Sequence, residues 1–276
     1  MKLVILLSFL LSSCTSLFFY YPMKETYITP KKVNVEFKDV YLTTKDNEKL
    51  HGWHLLSNDN KRKNLILFFH GNAQNITTHF LHMSWITEFG YDVLIFDYRG
   101  FGKSTGEPFP EGTMVDANTM INYGHKYFKE HNYKKFIVYG QSLGGNIALK
   151  AMEGIDFHND IDLLVLDSTF LSYKKLAFDK ATDHWLTFVF APLTYLLFSD
   201  VAAPDTKKVG KSSIPTLVVH GTNDETIDYK FGREIYDTLQ GEKWLWSIKD
   251  GKHTDIFFRE NKLYRKKFIE FSKEVK

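Results

Sequence analysis

The sequence predicts an α/β fold, a mostly parallel central sheet with helices on both faces and a small helical insertion late in the chain. Three observations lead there. Apolar runs of strand length recur at 65–70, 91–97, 134–139, 161–167, 215–220 and 243–249, with helix-compatible stretches between them near 75–89, 112–130, 143–153, 228–240 and 254–273. Such alternation buries a parallel sheet on both faces. The residues best suited to chemistry fall in loops just past the carboxyl ends of those strands, where open α/β sheets bind ligands. The 276 residues contain no Pro-, Ser- or Gly-rich linker, so one large domain is expected.

The N-terminus reads differently from the rest. Met1-Lys2 precedes the apolar run Leu3–Leu11, and Leu11-Ser12-Ser13-Cys14 follows. A short basic region, an apolar region and small residues before a cleavage point describe a secretory signal. The single cysteine sits where bacterial lipoprotein signals place theirs, and the stretch resembles a lipobox. The expected division is residues 1–13 as signal peptide, 14–30 (with Pro22 and Pro30) as tether, and 31–276 as the α/β domain. Cys14 would then be the lipidated N-terminus of an exported protein on the extracytoplasmic face of a membrane. The alternative is an uncleaved anchor, since Leu3 to Tyr21 is nearly long enough to span a bilayer. With one cysteine, no disulfide can staple the fold.

Val33–Tyr41 and Leu50–Leu56 alternate around Lys45-Asp46-Asn47-Glu48 and predict an antiparallel hairpin. Residues 170–213 interrupt the strand–helix rhythm. Their aromatic part, Trp185–Phe198, is too short to span a membrane and is broken by Pro192. It reads as a helix packed on the domain, or as one whose outer face also meets lipid. The basic C-terminal stretch reads as an amphipathic helix with a solvated face.

The richest motif is Gly140-Gln141-Ser142-Leu143-Gly144, entered from the apolar run Phe136–Tyr139 and followed by a helix-compatible stretch. Strand, tight Gly-flanked turn and helix are what a nucleophile elbow requires, so Ser142 is the expected nucleophile. A serine hydroxyl needs a base, and the base needs a carboxylate to fix its tautomer. His253, in the loop after KWLWSIK, and Asp224, in the loop after PTLVVH, stand where those roles would be filled. Asp167, Glu225 and Asp228 are rival acids. Acyl transfer also needs N–H groups aimed at the developing oxyanion. Leu143, after the nucleophile, and Asn72, in the loop after LILFFH, would supply them.

Most of the eleven histidines need no catalytic role. His51, His79, His125, His131 and His158 fall among polar neighbours and are expected to be solvated, whereas His70 and His220 precede glycines and are expected to support turns. His79 and His82 have metal-pair spacing, but no third ligand follows and no H-E-x-x-H is present. No metal or organic cofactor is required. A net charge of +2, with lysines dispersed along the chain, gives no reason to expect nucleic-acid binding.

The chain is identified as a member of the α/β-hydrolase superfamily and resembles its short-capped esterase and lipase-like branch. The motifs that carry this are His70-Gly71-Asn72-Ala73, Asp97 through Ser104 (DYRGFGKS), Gly140 through Gly145, His220 through Asp224 (HGTND) and Gly251-Lys252-His253. The resemblance implies Ser142 as nucleophile, Asp224 as acid, His253 as base, and Asn72 with Leu143 as oxyanion donors, with the Asp97–Ser104 loop organising the floor of the site and residues 170–213 forming a small helical cap over the pocket, packed on the domain or lining an acyl tunnel. Lys252 departs from the small residue common before the histidine. The implied activity is cleavage of carboxylic esters or thioesters of small acyl or lipid substrates through an acyl-enzyme. The alternatives are a non-catalytic binding protein or a peptidase of the same fold. Oligomeric state is left open.

Overall fold

The computed structural model describes residues 15–57, 64–183, 185–259 and 262–275. The expected signal peptide and Cys14 lie outside the described residues. Eight strands form one sheet in the order β1-β2-β4-β3-β5-β6-β7-β8. The strands β1 (Phe37–Thr43) and β2 (Lys49–Leu55) make the expected hairpin, and β2 runs antiparallel to β4 (Tyr91–Phe96). The remainder is parallel: β3 (Asn64–Phe69), β5 (Lys135–Gln141), β6 (Leu163–Asp167), β7 (Thr216–Gly221) and β8 (Lys243–Ile248). The predicted α/β class is borne out, and all six apolar runs are strands.

Those runs are continuously apolar because both faces of the sheet are covered. Leu65, Leu67 and Phe69 enter one core with Val138 and Leu166. Ile66 and Phe68 enter the other with Ile137 and Val165. The first core is closed by α3 (Pro110–Glu130), α4 (Leu143–Met152) and α9 (Tyr229–Thr238). The second is closed by α10 (Leu263–Glu274) and by the segment after β3, which comprises α1 (Ile76–His79), α2 (Leu81–Ser84) and a 3-10 turn at Trp85–Phe89.

Two expected helices are thus broken. Within 75–89, the hydroxyls of Ser84 and Thr87 and the Trp85 indole donate to carbonyls three residues back. Side chains that bond local carbonyls compete with the helical ladder. Within 254–273, Ile256 and Phe257 are buried in a 3-10 turn, and Lys262 at φ 56° resets the chain before α10.

Residues 15–30, expected as a tether, lie against the domain. Tyr20 is buried with its hydroxyl 3.2 Å from that of Tyr173, and the Asn75 amide donates to the carbonyls of Met23 and Glu25. Between β6 and β7 the insertion folds as α5 (Tyr173–Thr182), α6 (Trp185–Phe188), a 3-10 turn at Ala191–Leu193, α7 (Thr194–Leu197) and α8 (Thr206–Gly210). No described helix is long and apolar enough to cross a membrane.

Candidate active site

Parallel register sets the site. Gln141 at the end of β5 lies beside Asp167 of β6, and Gly221 of β7 lies beside Ile248 of β8, so the loops that follow open along one edge. Ser142 takes φ 53° and ψ −124° between β5 and α4, a region that costs a non-glycine residue about 1–3 kcal/mol. Its N–H donates to the Asp167 carbonyl, and its own carbonyl accepts from Gly145 N–H and the Thr169 hydroxyl. The flanking glycines leave room for the turn. A Cβ on Gly144 would stand 2.1 Å from the Phe69 carbonyl oxygen, and one on Gly140 2.5 Å from Gly145 Cα.

The structure brings Ser142, His253 and Asp224 together. Ser142 Oγ lies 3.0 Å from His253 Nε2, and His253 Nδ1 lies 2.8 Å from Asp224 Oδ2. Asp224 Oδ1 accepts from the N–H groups of Thr226 and Ile227, both at 2.9 Å. Burial would raise this carboxyl. Its hydrogen bond and charge contact with His253, helped by the Ile227 N–H and His220, instead hold it below the ordinary aspartate range. A carboxylate so placed fixes the imidazole with Nε2 as acceptor toward the serine.

The rival acids are engaged elsewhere. Asp167 accepts from the hydroxyls of Tyr139 at 2.8 Å and Ser168 at 3.1 Å, with His82 Nε2 at 3.2 Å. Asp228 caps α9 through Lys230 N–H, and Glu225 is exposed. His79 and His82 do not converge on a common point. His79 faces Ala73 O and the Gln141 amide, and His82 faces Tyr139 and Asp167. Among the described residues no group of three or more His, Cys, Asp or Glu could hold a metal ion.

Asn72 and Leu143 line the same cavity as Ser142. As the first residue of α4, Leu143 has an N–H that no intrahelical carbonyl can take. The Asn72 side chain accepts from Tyr21 N–H, which fixes the loop from its outer side. From below, His79 holds Ala73 and Gln141, and Ala73 and Gln74 both take positive φ. The DYRGFGKS loop supports the floor. Asp97 accepts from Ile76 N–H, Tyr98 donates to the His70 carbonyl, and Arg99 is clamped between Asp116 and Asp46.

Several of these parts escape sequence reasoning. His51, expected in solvent, is buried 2.6 Å from Asp39, because the β1–β2 hairpin folds its ring inward. His79 is partly buried rather than solvated. Phe18 and Phe19, which line the cavity, belong to the expected tether. Their signal was present as an apolar pair past the signal-like stretch, but no spacing rule ties such a pair to Ser142. Thr169 stands two residues after Asp167, and only the fold shows that it faces Gly145.

Above Ser142 lies a cavity of about 680 Å³, within the roughly 300–1,000 Å³ usual for ligand pockets. Its walls come from the N-terminal segment (Phe18, Phe19) and the cap (Leu176, Phe190, Leu197, Phe198). Among the described residues no Asp or Glu lines it, and the one charged lining residue, Lys180, is held by Asp183 and the Glu225 carbonyl.

Comparison with known proteins agrees with this architecture. Residues 60–206 match the Hydrolase_4 family model, described as serine aminopeptidase, S33. The uncharacterized protein YfhR of Salmonella typhimurium is 33% identical over 267 residues, covering 92% of this chain and 86% of YfhR. The lysophosphatidylserine lipase ABHD12 of Danio rerio is 27% identical over 215 residues, covering 74% of this chain and 54% of that protein. Among solved structures, the esterase Pf2001 of Pyrococcus furiosus superposes with a TM-score of 0.68 at 21% identity, covering 93% of this chain and 97% of that one.

Proposed function

The chain belongs to the Hydrolase_4 (serine aminopeptidase, S33) family of α/β hydrolases, and from that premise we propose that it is a membrane-tethered serine esterase acting on acyl esters or thioesters. The observation that carries this reading is one arrangement: His253 bridges Ser142 and Asp224 at the floor of an apolar cavity.

In this mechanism Ser142 Oγ attacks the acyl carbonyl while His253 Nε2 takes its proton. Asp224 stabilises the resulting imidazolium, and the N–H groups of Leu143 and Asn72 hold the oxyanion. The carbonyl re-forms as the C–O or C–S bond breaks, and His253 returns the proton to the departing alcohol or thiol. Water then attacks the acyl-enzyme with the same histidine as base, which releases the acid and restores Ser142. No step calls on a metal or organic cofactor.

The peptidase reading fits the cavity less well. An aminopeptidase must bind a substrate ammonium group, and among the described residues no carboxylate lines this cavity. A row of aromatic and aliphatic side chains instead favours an acyl chain. Membrane attachment is assigned to Cys14, from its place after Leu11-Ser12-Ser13. Lipid chains there would hold the protein by about 0.8 kcal/mol per buried methylene.

The test is an ester panel from acetyl to palmitoyl. Turnover should rise in kcat/KM from acetyl toward the longer chains, and Ser142→Ala should abolish it by about three orders of magnitude or more. Hydrolysis of aminoacyl amides without ester hydrolysis would select the peptidase instead, and turnover of neither would select the binding protein.

A further inference from the structure

The cap and the N-terminal segment share one exposed apolar face. Both segments present large exposed apolar side chains, Leu17 (71% exposed) and Phe18 (58%) on the first and Phe188 (62%), Val189 (75%) and Leu196 (66%) on the second. The two segments are joined: the Phe18 ring packs edge-on against Phe198 at 5.2 Å, and Ser199 N–H donates to the Thr15 hydroxyl at 2.9 Å. Monomeric proteins rarely expose contiguous apolar surface of this kind without a use for it.

This face is also the mouth of the cavity. Phe18, Phe190, Leu193 and Leu197 line the space above Ser142, yet each keeps between 45% and 63% exposure. A residue that does both stands on the rim. From Trp185 to Phe198 the sequence carries no charged side chain.

We propose that this face lies on a lipid bilayer, so that an acyl substrate passes from the membrane into the cavity without crossing water. What selects lipid over another occupant is the chain before Thr15. Thr15, where the described chain begins, bonds Ser199 at the end of the cap's apolar stretch, and the sequence before it carries the apolar run Leu3–Leu11 and Cys14. Whatever holds them in a membrane brings the patch to its surface. The cap helices are too short to span and rest at the acyl boundary, about 5–10 Å deep. The substrate route rests on the proposed esterase reading, whereas the lipid contact is measured without turnover.

The test places bimane at Val189→Cys, and separately at Leu196→Cys, in the full chain carrying Cys14→Ser. Lys266→Cys on α10 serves as the distant site. Each is mixed with phosphatidylcholine–phosphatidylglycerol vesicles with and without doxyl-labelled lipid. Doxyl lipid should quench bimane at 189 and 196 by about twofold or more and leave 266 unchanged. Equal quenching at all three sites would mean indiscriminate adsorption and overturn the proposal. So would no quenching at 189 and 196, whether a second copy, seen as a dimer by light scattering, or residues 1–14 cover the face. Ester turnover with unquenched sites would leave the esterase standing and remove the docking face; quenching without turnover would do the reverse.

Discussion

Ser142 holds a positive φ that its neighbours enforce, with its N–H on Asp167 and its carbonyl taken by Gly145 and Thr169. Strain of this kind persists only where the surroundings over-determine it, and it lifts the hydroxyl toward His253. The G-x-S-x-G spacing made this legible in the sequence, since each glycine answers a specific backbone contact. The acid was less legible. Asp167 and Asp224 both follow apolar strands, and only the fold turns one toward Tyr139 and the other toward His253. Asp224→Asn is therefore expected to lower kcat by about four orders of magnitude through the wrong imidazole tautomer. Asp167→Asn should keep most of the turnover and lower the melting temperature, because a buried carboxylate with three polar neighbours is lost. The opposite ranking in an ester assay would reassign the acid.

At the scale of elements, strands were readable because both of their faces are buried, whereas helix continuity was not. Ser84, Trp85 and Thr87 fit a helix by pattern, but their hydrogen bonds to nearby carbonyls break it. The ends of β3 and β7 carry a second hidden feature, the fully buried rings of His70 and His220. Each donates to a carbonyl, Gly71 O or Ile227 O, and burial pushes both below the ordinary histidine range. Their neutral forms thus favour the folded state above the unfolded pKa of about 6.5. As pH falls from there toward the folded values, the unfolded chain takes up the protons first and that stability is lost. Each ring contributes up to about 1.4 kcal/mol per pH unit across that window. The melting temperature should fall by several degrees between about pH 7.5 and 5.5, at about 2–4 °C per kcal/mol. A flat or rising melting temperature over that interval would show that these rings are not held neutral.

Across the whole molecule, two segments remote in sequence, the first described residues and the cap, enclose one cavity over one serine. That pairing could not be read from spacing. Phe19 meets Phe170, Tyr173 and Phe198 across more than 150 positions, and no local pattern encodes such contacts. The alternation of strand and helix did announce the sheet that carries the loops, and the sheet is what sets Ser142, Asp224 and His253 along one edge. The most direct measurement is mass spectrometry of the full-length protein after treatment with a fluorophosphonate bearing a long alkyl chain. A single adduct on the peptide containing Ser142 is expected, lost in Ser142→Ala and protected by a long-chain ester. An adduct on another residue, or none on a folded wild-type protein, would contradict the assignment of Ser142 as the nucleophile of an acyl-chain hydrolase.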